Sequence, residues 1–331
     1  MTTVVAIGLL LGVIAYALFG GADFGAGFWD LTAGGAERGR RPRALIDRSI
    51  GPVWEANHTW LIYCLVVLWT GFPAAFAAIM TTLYLPLGLA VLGIVVRGSG
   101  FAFRKVVVHT DHQRVNGAAF ASSSVITPFF FGTVIGGIAS GRVPATGYGD
   151  SIRGWVNPSG LLTGGLAVAT CAYLAAVFLT VDAQREGEQD LQQWSRRRAW
   201  IAAWFAGALA VADLAVSHHD AERLFTHLTG RALPLTIVSA LAGALALALM
   251  PRGRPRLIRT LAVIAVAALV AGWGVAQYPY LLGTHTSLTD AAAPSSSLTA
   301  LVVVFAAAAV VVAPSFTLLY RLQQRGRLES G

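Results

Sequence analysis

Long apolar runs separated by short polar stretches organise this chain from end to end. Most of the runs reach the ~20 residues that a helix needs to cross a bilayer. Because lipid offers no water to satisfy backbone polar groups, they predict membrane-spanning α-helices. Nine spans can be placed, at Val4–Leu31, Ile50–Leu68, Phe72–Val96, Gly117–Ala139, Gly160–Val181, Trp200–Val216, Leu233–Met250, Leu257–Gln277 and Leu298–Tyr320. The pattern predicts an all-α integral membrane protein with about nine spans, in which residues 1–331 form a single polytopic unit.

The connections between the spans are short. Only three residues separate the second span from the third, and Pro73 opens the next helix, which predicts a tight hairpin. The longest loop, Ser140–Ser159, is rich in Gly and Pro, and Asp182–Arg198 is predicted to be a short amphipathic segment. No loop is long enough to form a separate soluble domain.

Composition supports the membrane interpretation. Hydrophobic residues make up 56% of the chain and charged residues only 12%, about half the fraction usual in soluble domains. The net charge of +8 does not indicate nucleic-acid binding, because the arginines are confined to the loops and form no basic stripe in a polar domain. The two cysteines, Cys64 and Cys171, lie inside apolar runs and predict neither a disulfide framework nor a metal site.

The basic residues predict an orientation. Of the 24 Lys and Arg residues, the alternate loops on one side hold all but four, and Arg97 is counted in this larger set. The other four are Arg142, Arg153, Arg223 and Arg231. The positive-inside rule therefore predicts a multi-pass protein with its N-terminus outside and its C-terminus in the cytoplasm.

Ionisable residues within the first two spans are the candidates for chemistry, because a charge at membrane depth costs at least ~2.5–3.5 kcal/mol. Asp23 and Asp30 are seven residues apart on the first span and share one helix face. Glu55 and His58 are three apart on the second span, about 8–13 Å inside its cytoplasmic end if the helix starts at Ile50. These four groups could line one path through the cytoplasmic half of the bundle. Two structural alternatives remain open. Asp30 could simply face the lipid headgroups, and Glu55 and His58 could form a structural pair near a helix end.

Other polar groups are weaker candidates. His218, His219 and His227 are placed in an external loop, where histidines seldom bind a metal. A haem would need axial His, Met or Cys ligands at membrane depth. His58 is the only histidine clearly inside a span, so a multi-haem site cannot be built, although a single haem on His58 stays open.

These residues also carry a family resemblance. Gly21-Ala22-Asp23-Phe24-Gly25 resembles the glycine-flanked element that ends the first helix of subunit II of the cytochrome bd quinol oxidases. The run from Ser49 to Ile62 is similar to that family's second-helix signature, with Trp54, Glu55, Asn57 and Trp60 at matching spacing. Further similar elements are Arg97–Arg104, Asn157–Leu162, Tyr278–Leu281 and Ser287–Thr289, so the resemblance runs to the final loop.

The resemblance implies two four-helix bundles plus one extra helix in a bacterial cytoplasmic (inner) membrane. It also implies that the chain pairs with a haem-bearing subunit I, and it allows small accessory subunits. It places haems b558, b595 and d and the quinol site in subunit I, so no cofactor is expected in this chain; some members hold a structural quinone in subunit II. It assigns Glu55 to a cytoplasmic proton path and matches Asp23 to the acid of the family's first helix. Asn57, His58 and Asp30 are predicted to belong to the same path, and Trp54, Trp60, Gly21 and Gly25 are predicted to serve as signature and helix-packing positions. Here Glu stands where other members have Asp, and His58 occupies a variable place, which leaves the role of His58 open.

Three functions compete at this point. The leading hypothesis is subunit II of a respiratory quinol:oxygen oxidoreductase, not catalytic alone, whose substrates are quinol and O2. The alternative is a proton-coupled secondary transporter, which midplane acids and glycine-rich helices would suit, although no inverted repeat is visible. The third is a haem-binding membrane anchor that uses His58.

Overall fold

A computed structural model describes residues 1–50, 54–106 and 110–324. Thirteen α-helices and one two-stranded antiparallel hairpin form this part of the chain. The helices are α1 (Thr2–Ala15), α2 (Gly21–Leu31), α3 (Ala36–Ile50), α4 (Trp54–Gly71), α5 (Pro73–Thr82), α6 (Tyr84–Val106), α7 (Thr110–Ala139), α8 (Pro158–Arg185), α9 (Gln189–Asp220), α10 (Glu222–Leu228), α11 (Leu233–Leu249), α12 (Pro255–Gln277) and α13 (Ser295–Gln324). The hairpin strands are β1 (Tyr280–Leu282) and β2 (Thr286–Ser287). The predicted all-α class is confirmed.

The number of spans agrees only approximately with the predicted nine. Within the described ranges, seven helices are long and apolar enough to cross a membrane, and an eighth span results if α4 and α5 are counted together. These two helices are bent by 117° at Phe72, so the tight turn predicted there is present.

The predicted third span, Phe72–Val96, is wrong as a continuous helix. It is divided at Leu83 into α5, of only 10 residues, and α6, whose apolar part Tyr84–Gly100 is shorter than a full span. Pro86 provides the physical reason. A proline ring clashes with the carbonyl four residues earlier, here that of Thr82, and offers no N–H to it, which favours a break at this point.

A polar helix, α3, follows the first span where only a loop was expected. Its last described residue is Ile50, and the described part of α4 begins at Trp54; the signature residues 51–53 between them lie outside the described ranges. α3 is tied by ion pairs to the turn between α8 and α9, with Arg41 bound to Glu188 and Arg48 to Glu186, each at 2.6 Å.

The predicted amphipathic segment Asp182–Arg198 is also different in the structure. α8 continues to Arg185 and α9 begins at Gln189, so two long helices meet at a turn of three residues. Gly187, with a φ of +73°, supplies the left-handed conformation that this turn requires.

The helices form two groups. α1 and α2 pack against α4 and α7, and α6 packs on α7. In the second half, α8 packs against α9 and α12, and α11 packs against α12 and α9. α2 also packs on α8 and so joins the two groups, while α13 packs against α1 and α4 as the extra helix. This arrangement agrees with two four-helix bundles plus one helix.

The long loop 140–157 is ordered by local capping. The Asp150 carboxylate accepts hydrogen bonds from the backbone N–H groups of Ile152 and Arg153, at 2.9 and 2.8 Å, and these bonds hold the pKa of Asp150 below its usual range. Asn157 caps α8 by accepting a bond from the Gly160 N–H at 2.7 Å, with Pro158 at the first helical position. The loop is further fixed to α9, because the Arg142 guanidinium binds the Asp220 carboxylate.

Candidate functional site: a buried polar cluster in the first bundle

Asp23 lies near the start of α2 and is only 3% exposed. The side-chain amide of Asn57, also 3% exposed, donates a hydrogen bond to Asp23 Oδ2 at 2.9 Å. The pairing joins α2 to α4 inside the first bundle. The structure therefore brings together two of the residues that the sequence selected as a path.

Arg97 completes this site, and sequence reasoning missed it. Its guanidinium is 1% exposed, donates to the backbone carbonyl of Asp23 at 2.8 Å and also donates to the Ser124 hydroxyl on α7. It lies over the rings of Phe24 and Phe120, at 5.0 and 4.4 Å from their centroids. We refer to Asp23, Asn57, Arg97 and Ser124 as the buried cluster.

The assignment of Arg97 to a cytoplasmic loop is thus wrong. It directly follows the apolar run that ends at Val96, so a boundary drawn at the first charge put it outside the helix. α6 instead continues to Val106. An acid at depth on a neighbouring span was the signal that could have indicated a buried cation, since buried charges are usually paired.

Asp30 belongs to a different environment. It is 4% exposed and accepts a bond from Arg43 Nε on α3 at 2.8 Å. Arg43 also donates to the Gly34 carbonyl at 2.6 Å, which anchors α3 against the end of α2. Asp30 and Asp23 do share a buried helix face, but they contact different arginines. Arg43 binds the Asp30 carboxylate, whereas Arg97 binds the backbone carbonyl of Asp23.

His58 lies one residue beyond Asn57 and is half-buried among aromatic rings. The centroids of Tyr16, Phe24 and Trp54 lie 6.4, 5.8 and 6.2 Å from that of His58. Within the described ranges, His58 Nδ1 and Tyr16 Oη are buried and have no hydrogen-bond partner. Tyr16 begins a π-helical turn, Tyr16–Gly20, between α1 and α2, a feature that often accompanies function.

Glu55 points away from this interior. Its side chain is exposed on the surface of the chain, in the first turn of the described part of α4. The expectation that Glu55 and His58 share one environment is therefore not met, because His58 turns inward. Thr59, Ile62, Val66 and Trp69 continue the exposed face of α4 that Glu55 begins.

The glycine and tryptophan positions serve packing to different degrees. A Cβ on Gly25 would lie 1.8 Å from the Cys171 carbonyl oxygen, so α2 and α8 touch backbone to backbone there. The packing around Gly21 is looser, because an added Cβ there would lie 3.5 Å from Cys171 Sγ. Trp54 packs edge-on against His58, and Trp60 packs edge-on against Tyr63.

The histidines placed in an external loop belong to helices instead. His218 and His219 lie in the last turn of α9, and His227 lies on α10, where its Nδ1 is 3.0 Å from the Ala276 carbonyl oxygen. Over the ranges that the structure describes, no three His, Cys, Asp or Glu side chains are grouped to hold a metal ion.

Comparison with known proteins identifies the family. The family model described as cytochrome bd terminal oxidase subunit II matches residues 1–323. The chain belongs to the cytochrome bd subunit II family. Among curated members, it is 26% identical to cytochrome bd ubiquinol oxidase subunit 2 of Bacillus subtilis over 230 residues, or 68% of this chain and 65% of that protein. It is 28% identical to cytochrome bd-I ubiquinol oxidase subunit 2 of Escherichia coli over 204 residues, or 59% of this chain and 52% of that protein.

These alignments span between about half and two thirds of the two subunit II relatives. The fold likeness is more complete. A chain from the structure of bd oxidase from Geobacillus thermodenitrificans matches with a TM-score of 0.77 at 22% identity, over 97% of this chain and 98% of that one. As a member of the cytochrome bd subunit II family the protein is a multi-pass membrane protein, and nothing in these comparisons supports the transporter alternative.

Proposed function

We propose that this chain is the subunit II of a cytochrome bd-type quinol:oxygen oxidoreductase of a bacterial respiratory chain. In this role it scaffolds a haem-bearing subunit I and is not catalytic alone. Family membership over nearly the whole chain supports the proposal, as do the printed names of the relatives, which are subunits of ubiquinol oxidases. Quinol and O2 are then substrates of the complex.

The observation that carries the proton-path part of the proposal is the placement of acids on α2 and α4. Asp23 and Asn57 form a hydrogen-bonded pair in the interior, and Glu55 stands on the outer surface of the same helix, two residues before Asn57. A carboxylate that faced the hydrocarbon would be costly, up to roughly 2.5–3.5 kcal/mol at the bilayer centre, so Glu55 should be covered by protein. The exposed face of α4 is therefore the surface on which subunit I docks.

On this proposal Glu55 passes protons across the subunit interface, while Asp23, Asn57 and His58 form the internal part of the path. Asp30 fits less well, because its carboxylate is bound to Arg43 and supports α3. The excess of basic residues on one side supports a cytoplasmic proton entry, an external N-terminus and a location in the inner membrane.

The haems are assigned to the partner subunit. This assignment rests on the family resemblance; in this chain His58 Nδ1 is buried, and the imidazole packs among aromatic rings. A structural quinone and small accessory subunits remain part of the proposal only through the family resemblance.

The decisive experiment is purification of a tagged chain, with and without a co-expressed subunit I, in mild detergent. We expect the pair to carry a visible haem spectrum and to oxidise quinol with O2, and the chain alone to be colourless and inactive. A haem spectrum from the chain alone would favour the His58 anchor instead, and failure to retain any haem-bearing partner would contradict the scaffold role.

A further inference from the structure

A groove of about 700 Å³ lies between the start of α9 and the turn that joins α11 to α12. Three consecutive arginines line it, Arg196, Arg197 and Arg198, together with the indole rings of Trp194 and Trp200. It lies far along the chain from the buried cluster and plays no part in the proposed proton path.

The groove carries uncompensated positive charge. Arg196 is half-buried and Arg197 is exposed, and no carboxylate of the described ranges lies within ion-pair distance of either. The one acid in the lining, Asp190, is engaged by Arg41 Nη1 at 3.4 Å. Arg198 is held on the Trp194 ring, 3.7 Å from its centroid, which fixes one wall of the groove.

The arginines stand at the boundary of the apolar part of α9. Beyond them the exposed side chains of this helix are hydrophobic, with Ile201 38%, Trp204 55% and Phe205 64% exposed. Such a surface is suited to acyl chains, and tryptophans beside arginines mark the depth of the lipid headgroups. The groove therefore opens at headgroup level, next to a lipid-facing helix.

We propose that this groove binds the phosphate of an anionic glycerophospholipid from the surrounding bilayer. Guanidinium groups bind phosphate oxygens in bidentate fashion, and basic pockets at the ends of membrane helices favour anionic headgroups. Arg196 and Arg197 hold the phosphate, Trp200 lies against the glycerol region, and the acyl chains run along the exposed face of α9. The lipid thereby fills the gap between α9 and the α11–α12 turn.

Native mass spectrometry of the purified complex tests this, with phosphatidylglycerol as the probe and with phosphatidylcholine and inorganic phosphate in parallel arms. The test variant is Arg196→Gln with Arg197→Gln. The matched control is Arg38→Gln with Arg40→Gln, which removes the same charge from exposed positions on α3, at the same end of the molecule. At roughly 1 kcal/mol for each arginine near an anionic surface, the test variant should bind phosphatidylglycerol about 30-fold more weakly, and the control should bind as the parent does.

Three outcomes would overturn the proposal. Undiminished phosphatidylglycerol binding by the test variant would show that the groove is not the site. An equal loss in the control would show only a general surface potential. If the test variant lost a protein subunit of the complex while its lipid binding was unchanged, the occupant of the groove would be a protein. Phosphatidylcholine and inorganic phosphate should each bind too weakly to distinguish the variants, because neither offers an anionic headgroup attached to acyl chains.

Discussion

At the scale of single residues, the charged groups inside the first bundle are stabilised by hydrogen bonds to one another and to their polar neighbours. Asp23 would be costly to bury alone, and so would Arg97, but the guanidinium bonds the Asp23 carbonyl and Ser124 while Asn57 bonds the carboxylate. Removing one member leaves the others without their partners. The buried cluster is therefore both a candidate for proton chemistry and a structural element.

Replacing Arg97 with Met should destabilise the protein strongly. The change keeps a long side chain but leaves the buried Asp23 carbonyl without the guanidinium that donates to it, a loss of about 1–3 kcal/mol for one unsatisfied buried group. Thermal unfolding of the purified complex, followed by tryptophan fluorescence, should show a clearly lower midpoint. Arg38→Met is the matched control at an exposed position and should leave the midpoint near that of the parent; equal midpoints for both variants would contradict the compensation argument.

Replacing Glu55 with Gln should slow turnover while the complex still assembles. Gln preserves shape and hydrogen bonding but cannot carry a proton, and removing a positioned proton carrier typically costs on the order of 10²-fold in rate. Glu55→Asp should retain most of the activity, because a carboxyl group survives on a shorter arm. Oxygen consumption, normalised to haem content, is the measurement. Parental turnover by a fully haem-loaded Gln variant would move the path to Asp23 or out of this subunit.

The sequence was sufficient for part of the site and not for the rest. Asp23 could be selected because an ionisable group inside an apolar run is visible in the sequence, and Asn57 because it belongs to the second-helix signature. Arg97 could not, because a charge at the end of a run looks like the start of a loop until its neighbours on α2 and α7 are known. The outward direction of Glu55 depends on which face of α4 packs against its neighbours, and that face is known only from the folded chain.

At the scale of helices, the contact between α2 and α8 depends on a glycine. The Gly25 backbone lies against the Cys171 carbonyl, and the Trp29 indole N–H donates to the next carbonyl, that of Ala172, at 2.7 Å. This contact joins the two four-helix groups at their centre. The sequence predicted helix packing at Gly21 and Gly25. It could not identify the partner helix, which lies more than 140 positions away along the chain.

Replacing Gly25 with Ala should separate α2 from α8. The added Cβ would meet backbone atoms that cannot rotate away, so the helices must shift, at a cost of about 1–3 kcal/mol or more. Gly207→Ala on α9 is the control, since an added Cβ there meets nothing within 4 Å. We expect lower yield and a lower unfolding midpoint for the first variant only. If both behave like the parent, the close approach of α2 and α8 is not tight in solution.

At the scale of the whole molecule, the two helix groups are tied at both ends by polar contacts. At one end, α3 binds the α8–α9 turn through Arg41 and Arg48; at the other, Arg142 of the long loop binds Asp220 of α9. The predicted orientation puts the first end in the cytoplasm. The apolar runs predicted the number of long helices closely. The break before Pro86 and the helical form of α3 could be recognised only in the folded chain.

Cysteine labelling in intact cells tests this orientation. Arg40→Cys on α3 should be protected from a membrane-impermeant maleimide, and Arg153→Cys in the long loop should react, since the Arg153 side chain is 88% exposed. Gly147 is a poorer site, because its φ of +72° disfavours a side chain and an added Cβ would lie 2.5 Å from Thr81 Oγ1. The parent chain, with its two membrane-embedded cysteines, is the control. The reverse labelling pattern would invert the topology.

The π-helical turn at Tyr16–Gly20 sets the angular phase of the first span. Each residue of an α-helix rotates the chain by about 100°, and a π turn accommodates one residue more than an α turn. The two halves of the span therefore present differently phased faces: α1 packs on α4 and α13, and α2 packs on α7 and α8. A regular α-helix through the same residues would rotate one half by about 100° relative to the other. Either Asp23 would then turn away from Asn57, or Gly8 and Gly12 would lose their contacts with Phe305 and Tyr63. The π turn, which takes up the extra residue, is therefore what lets a single helix serve both neighbours.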